Sequence, residues 1–136
     1  MRPEAFASLI ERLTGGAGCY FVAEENGACI GHAFLNPMEL IALAHVFRLT
    51  IAVHPVHSGK GVGTALMQTI CEWAARSNQV RKVELLVRAT NERAIALYKK
   101  FGFIEEGRFR DRVRPPDGSY IDDISMAWFP GRSDLR

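Results

Sequence analysis

Ile51-Ala52-Val53-His54-Pro55, followed by Ser58-Gly59-Lys60-Gly61-Val62-Gly63-Thr64-Ala65-Leu66, is the stretch that decides how this 136-residue chain folds. An apolar run that ends at a proline reads as a strand that stops there, because proline cannot donate to a sheet ladder. Three alternating glycines follow, then Val62, Leu66, Ile70 and Trp73 at helical spacing, which predicts a helix from about Gly61 to Ser77. Strand, glycine loop and helix together suit a phosphate group. Glycines let the backbone come close, and the free N–H groups of the first helical turn point at an anion. Lys60 adds a positive charge beside them. Two familiar versions of this loop fail on their own positions. A Walker A loop needs Ser or Thr after Gly-Lys and a glycine five places upstream, where Gly61 and His54 stand. A dinucleotide loop needs a glycine at 64 or 66, where Thr64 and Leu66 stand.

Outward from this stretch the pattern alternates between strand and helix. Phe6, Leu9, Ile10 and Leu13 recur at helical spacing until Gly15-Gly16, which predicts a short helix over 4–14. Cys19 to Glu24 and Ala28 to Leu35 read as strands joined by Glu25-Asn26-Gly27, since Asn-Gly tolerates the positive φ of a tight hairpin. Residues 44–53 read as a third strand, with Phe47, Leu49, Ile51 and Val53 on one face. Val83 to Val87 is apolar on both sides, as a central parallel strand is. Asn91 can cap a helix carrying Ala94, Ile95, Leu97, Tyr98 and Phe101, which Gly102 stops. Residues 103–113 and 120–128 make a last hairpin across Pro115-Pro116-Asp117-Gly118. The expected order is α-β-β-β-α-β-α-β-β in one mixed α/β domain, 1–136.

Two separated segments resemble the GNAT superfamily of N-acetyltransferases. The strand ending Val53-His54-Pro55 with Ser58 to Leu66 is similar to that family's pyrophosphate loop, [Q/R]-x-x-G-x-G/A. Asn91-Glu92-Arg93-Ala94-Ile95-Ala96-Leu97-Tyr98, then Gly102-Phe103, resembles its N-x-x-A-x-x-L-Y-x-x-x-G-F segment. Gly118 to Asp122 and Met126 resemble bacterial members acting on amino acids and similar small amines. The resemblance implies a GNAT-like acyl-CoA N-acyltransferase fold, a central mixed twisted sheet with helices on both faces. It also implies acetyl-CoA as co-substrate and a primary amine of a small molecule as acceptor. Ser58 departs from the usual Gln or Arg. The family's opening strand and helix have no counterpart before residue 4, so the domain is expected to be N-terminally short. An uncovered sheet edge would then favour a homodimer.

By the same resemblance, Ile51, Ala52 and Val53 hold the pantetheine arm, with Ile51 and Val53 binding it through backbone groups like an added strand. Ser58, Gly59, Lys60, Gly61, Val62, Gly63 and Thr64 surround the pyrophosphate, and Asn91, Ala94 and Tyr98 contact the cofactor. Tyr98 is the candidate acid beside the departing sulfur; a packed aromatic is its plainer reading. His45 is the candidate base, because imidazole exchanges a proton near neutral pH; a histidine bridging two strands is the alternative. Tyr120 and Asp122 are candidate acceptor contacts. Arg108, Arg110, Arg112 and Arg114 alternate along a strand, so they should share one face, either attracting a carboxylate or simply solvated beside nearby aspartates. Cys71, mid-helix and without a neighbouring histidine in sequence, is a poor nucleophile for a ping-pong route.

Composition bounds the rest. A net charge of +2 lacks the basic stripe of a nucleic-acid domain. Three cysteines without C-x-x-C spacing suit reduced thiols in a cytoplasm, and the His54–His57 pair has no second pair to complete a metal site. No signal peptide or membrane span is legible, so a cytoplasmic protein free of membrane is expected. A protein acetyltransferase, or a catalytically idle acetyl-CoA-binding regulatory domain, are the competing readings.

Overall fold

Asn26 and Gly27 take φ of 54° and 81°, the pair of positive angles that a two-residue hairpin needs. They join strand β2 (Cys19–Glu25) to β3 (Ala28–Pro37). The computed structural model describes residues 8–12 and 16–131. Further along come β4 (Val46–Val53), helix α1 (Val62–Arg76), β5 (Lys82–Arg88), α2 (Glu92–Lys100), β6 (Ile104–Val113) and β7 (Ile121–Trp128). Short 3-10 turns at Ile41–Leu43 and Pro55–His57 flank β4.

One expectation is overturned at the start. Ser8–Arg12, inside the expected helix, is a strand, β1, running antiparallel to β2 from Ser8 opposite Glu24 to Arg12 opposite Tyr20. Residues 4–7 and 13–14 of that expected helix lie outside the described residues. Helical spacing over so few residues is a weak local preference, since a helix of that length is marginal by itself. The open edge of β2 offers a ladder instead, and tertiary pairing overrides the local pattern.

Among the described residues seven strands form one sheet in the order β1-β2-β3-β4-β5-β7-β6. Only β4 and β5 run parallel, and α1 makes the crossover between them. Phe21, Ala33, Leu35, Phe47 and Leu49 point from the sheet toward Val62, Leu66, Met67, Ile70 and Ala74 of α1. Trp73, expected in this stripe, lies at its margin with its ring 6.3 Å from that of Phe47. Gly31 lets the helix sit close. A Cβ there would meet Val62 Cγ1 at 3.1 Å and the Ala52 carbonyl at 3.2 Å.

The ladder between β4 and β5 covers only Val46–Lys82, Phe47–Val83 and Arg48–Glu84. Beyond it β5 stays paired with β7, from Val83 opposite Trp128 to Arg88 opposite Asp123. β4 likewise stays with β3 as far as Val53 opposite Gly31. The two strands therefore part in a V that widens toward the glycine loop.

The β6–β7 hairpin corrects a second expectation. Its register shifts between Phe109 and Val113, where Asp111 takes φ 52°. Asp122 fixes this bulge, accepting the Asp111 N–H at 2.8 Å and Arg108 Nη1 at 2.7 Å. A bulge breaks the period of two, so the arginines do not form one row. Arg108 pairs with Asp122, Arg112 lies 4.7 Å over the Phe109 ring and Arg114 lies 5.3 Å over the Tyr120 ring.

Candidate acetyl-CoA site

The backbone of β4 determines what the V can bind. Met38 N–H donates to the Val46 carbonyl at 2.9 Å, and His54 N–H donates to the Ile30 carbonyl at 2.8 Å. Antiparallel neighbours exchange hydrogen bonds at every second residue, so the even positions from 46 to 54 bond to β3. The odd positions turn their N–H and C=O toward β5. Where β5 has moved away, Ile51 and Val53 present theirs to the open V. Their side chains lie on the α1 face, while Arg48, Thr50 and Ala52 are exposed on the other.

The glycine loop follows directly. His54 Nδ1 accepts the Val56 N–H at 3.3 Å and starts the Pro55–His57 turn. Ser58 closes it, since both its N–H (3.2 Å) and its hydroxyl (2.8 Å) donate to the Pro55 carbonyl. Gly59 and Gly61 then take φ of 83° and 86°, which l-side chains rarely adopt. The first α1 bond runs from Ala65 N–H to the Gly61 carbonyl at 3.0 Å. Among the described residues, no acceptor takes the N–H groups from Gly59 to Thr64. They form a concave run of donors at the positive end of a 15-residue helix.

Facing this loop across the V is α2. Asn91 Oδ1 accepts the Ala94 N–H at 3.2 Å, capping the helix as expected. Between them lies a cavity of about 750 Å³, lined by Ile51, Ala52, Val53, Ser58, Gly59, Gly61, Gly63, Thr64, Asn91, Ala94 and Tyr98, among others. At its inner end, where β4 and β5 part, a second chamber of about 190 Å³ is lined by Arg48, Leu49, Thr50, Ile51, Leu85, Leu86 and Tyr98. Ile51 and Tyr98 border both spaces. Tyr98 is 8% exposed and packs 6.1 Å from the Phe103 ring. Burial pushes its hydroxyl above the ordinary tyrosine value, so it stays a hydrogen-bond donor at neutral pH.

Some expected site residues are placed elsewhere. His45 is exposed in the turn before β4, where its carbonyl accepts the Arg81 N–H at 3.0 Å, and it lines neither space. It lies outside the strand whose parity was meant to aim it. Asp122 is held by Arg108 and the Asp111 N–H, and Tyr120 by Arg114; neither lines either space. Lys60 Nζ lies 3.3 Å from His57 Nδ1, itself 3.5 Å from Glu25, and its side chain does not line the cavity. The cations that do are Arg93 and Lys100. A Cβ on Gly59 would meet Arg93 Nη2 at 2.8 Å, so the guanidinium lies directly against the loop. Sequence reading passed over both, although 93, 97 and 100 follow the helical spacing of one face beside Asn91 and Tyr98. Burial pushes the Cys71 thiol up to about 12, which removes its thiolate at neutral pH.

A free strand edge, a run of N–H donors and two cations around an elongated cavity fit the amide arm and phosphates of a coenzyme A thioester. Comparison with known proteins agrees. The model of the Acetyltransferase (GNAT) family matches residues 2–103. The chain belongs to the GNAT family. It is therefore an acetyl-CoA-dependent N-acetyltransferase of GNAT fold, with acetyl-CoA as co-substrate and an amine as acceptor. The L-amino acid N-acetyltransferase of Escherichia coli (strain K12) is 32% identical over 118 residues, covering 86% of this chain and 72% of that protein. An N-alpha-acetyltransferase of Sulfurisphaera tokodaii is 32% identical over 122 residues, covering 82% and 72%. A solved GNAT acetyltransferase from Streptococcus pneumoniae superposes with a TM-score of 0.78 at 27% identity, covering 82% of this chain and 67% of that one.

Proposed function

We propose that this GNAT protein transfers the acetyl group directly from acetyl-CoA to the primary amine of a small molecule, with both bound at once. In this reading Ile51 and Val53 hold the pantetheine amides through their outward backbone groups. The N–H groups from Gly59 to Thr64, with Arg93, hold the pyrophosphate. The thioester then lies near Tyr98, where the two spaces meet, and the amine waits in the inner chamber. Its nitrogen attacks the thioester carbonyl, the C–N bond forms, and collapse of the tetrahedral adduct breaks the C–S bond. Tyr98 hydrogen-bonds the departing thiolate, while water accepts the proton lost by the amine.

The observation that carries this reading is the small chamber of about 190 Å³ at the closed end of the V, bordered by the same tyrosine as the cofactor cavity. A small acceptor fits it, and the raised Cys71 thiol speaks against a relay through an acetyl-cysteine. The two relatives act, by their names, on different acceptors, an L-amino acid and an α-amine. The test is coenzyme A release measured with a panel of free amines and, in parallel, peptides bearing free N-termini. Release dependent on small amines supports the proposal. Acetyl-CoA binding without release for any amine identifies an idle binding domain, and release with peptides alone identifies a protein acetyltransferase.

A further inference from the structure

We infer that Arg48 selects acceptors carrying a carboxylate beside the reacting amine, an inference that rests on the direct-transfer reading above. Among the described residues, Arg48 is the one charged residue that lines the inner chamber. It sits on β4 two residues before Thr50, on the exposed face away from α1, where the V first opens. The charged side chains of the neighbouring strand β5 are already engaged. Lys82 Nζ holds Glu84 at 2.9 Å and Glu106 at 2.8 Å, and Arg88 holds the buried Asp123 at 2.9 Å. Glu84 is the residue directly opposite Arg48 in the parallel register, yet its carboxylate is taken by Lys82. Among the described residues Arg48 has neither an ion-pair nor a hydrogen-bond partner.

The other lining residues are Leu49, Ile51, Leu85 and Leu86, with Thr50 and Tyr98 carrying hydroxyls. Among the described lining residues an acceptor entering here meets one unpaired cationic residue and no acidic one. A guanidinium matches a carboxylate with two parallel hydrogen bonds. The same cation repels a diamine, whose second ammonium would find no acid in the chamber. A molecule with an amine and a carboxylate a few atoms apart can place one on the thioester and the other on Arg48. Such an acceptor is an α-amino acid or a close analogue.

The discriminating measurement compares kcat/KM for a panel of L-amino acids with that for their carboxamides and for putrescine, in the wild-type protein, Arg48→Gln and Arg48→Lys. Acetyl-CoA affinity is measured alongside by calorimetry. The wild type should favour the best amino acid over its carboxamide by about tenfold or more, the scale of a charged hydrogen bond. That ratio should collapse toward one in Arg48→Gln, through KM, and recover in part in Arg48→Lys, while acetyl-CoA affinity holds throughout. Carboxamides or putrescine serving the wild type as well as amino acids would overturn it. So would an acid-to-amide ratio unmoved in Arg48→Gln. If no amine supports coenzyme A release while acetyl-CoA binds, the transferase reading falls and this inference with it. Amine-dependent release without a preference for carboxylates refutes the inference alone.

Discussion

Tyr98 borders both the cofactor cavity and the inner chamber, and burial disfavours the ionised form of its hydroxyl. Tyr98→Phe keeps the packing against Phe103 and removes the donor. We expect turnover at saturating substrates to fall by about tenfold or more, the lower range for a positioned proton donor, while the acetyl-CoA dissociation constant changes little. Unchanged kcat in steady-state assays would rule the role out. Because the folded-state value is raised, the hydroxyl remains protonated at least up to the ordinary tyrosine value near 10. Any alkaline fall in activity caused by Tyr98 must therefore lie above that pH. A limb that begins lower belongs to another group and persists in Tyr98→Phe. The raised value has a counterpart in stability: the contribution of neutral Tyr98 is complete below the unfolded value and is lost as pH rises through the folded one. Cys71, pushed up to about 12, should carry no acetyl group when the protein is mixed with acetyl-CoA alone, as intact-mass spectrometry can check. At this scale Asn91 and Tyr98 were legible because one motif contained them. His45 was misplaced because parity along a strand says nothing about where the strand begins, and Arg93 was passed over because Lys60 stood nearer the loop in sequence.

Among the elements, the glycine loop and the two helices were read correctly because their signals are short-range: glycines at positive φ, a capping asparagine, an apolar stripe. Replacing Asn91 by alanine removes the cap from Ala94 and should cost about 1 kcal/mol, measured by denaturant unfolding. Gly59→Ala is expected to act on binding more than on stability. Its φ of 83° disfavours a side chain, and the new methyl would displace the Arg93 guanidinium. Acetyl-CoA affinity should fall by roughly tenfold, the loss of one charge-assisted contact; calorimetry showing no change would remove Arg93 from the phosphate site. β1 was misread for the opposite reason. Its pairing to β2 is a long-range event, and a helical spacing over a few residues carries no information about a waiting strand edge. The bulge at Asp111 was equally invisible, since Asp122 holds it from another strand.

Across the whole molecule, the mixed sheet was legible as a class, whereas its strand order was not. β7 inserts between β5 and β6, which fixes one side of the V, and no local pattern announces that placement. The V leaves β4 with two kinds of backbone amide. Those of Thr50 and Ala52 are tied to β3, and those of Ile51 and Val53 face the opening. Protection from solvent deuterium should follow this alternation. In the cofactor-free protein, the Ile51 and Val53 amides should exchange quickly while Thr50 and Ala52 between them exchange slowly. Acetyl-CoA should slow only the fast pair. A period-two pattern that disappears on loading would mark the thioester as a transient eighth strand, stitched between β4 and β5 for the length of each catalytic cycle.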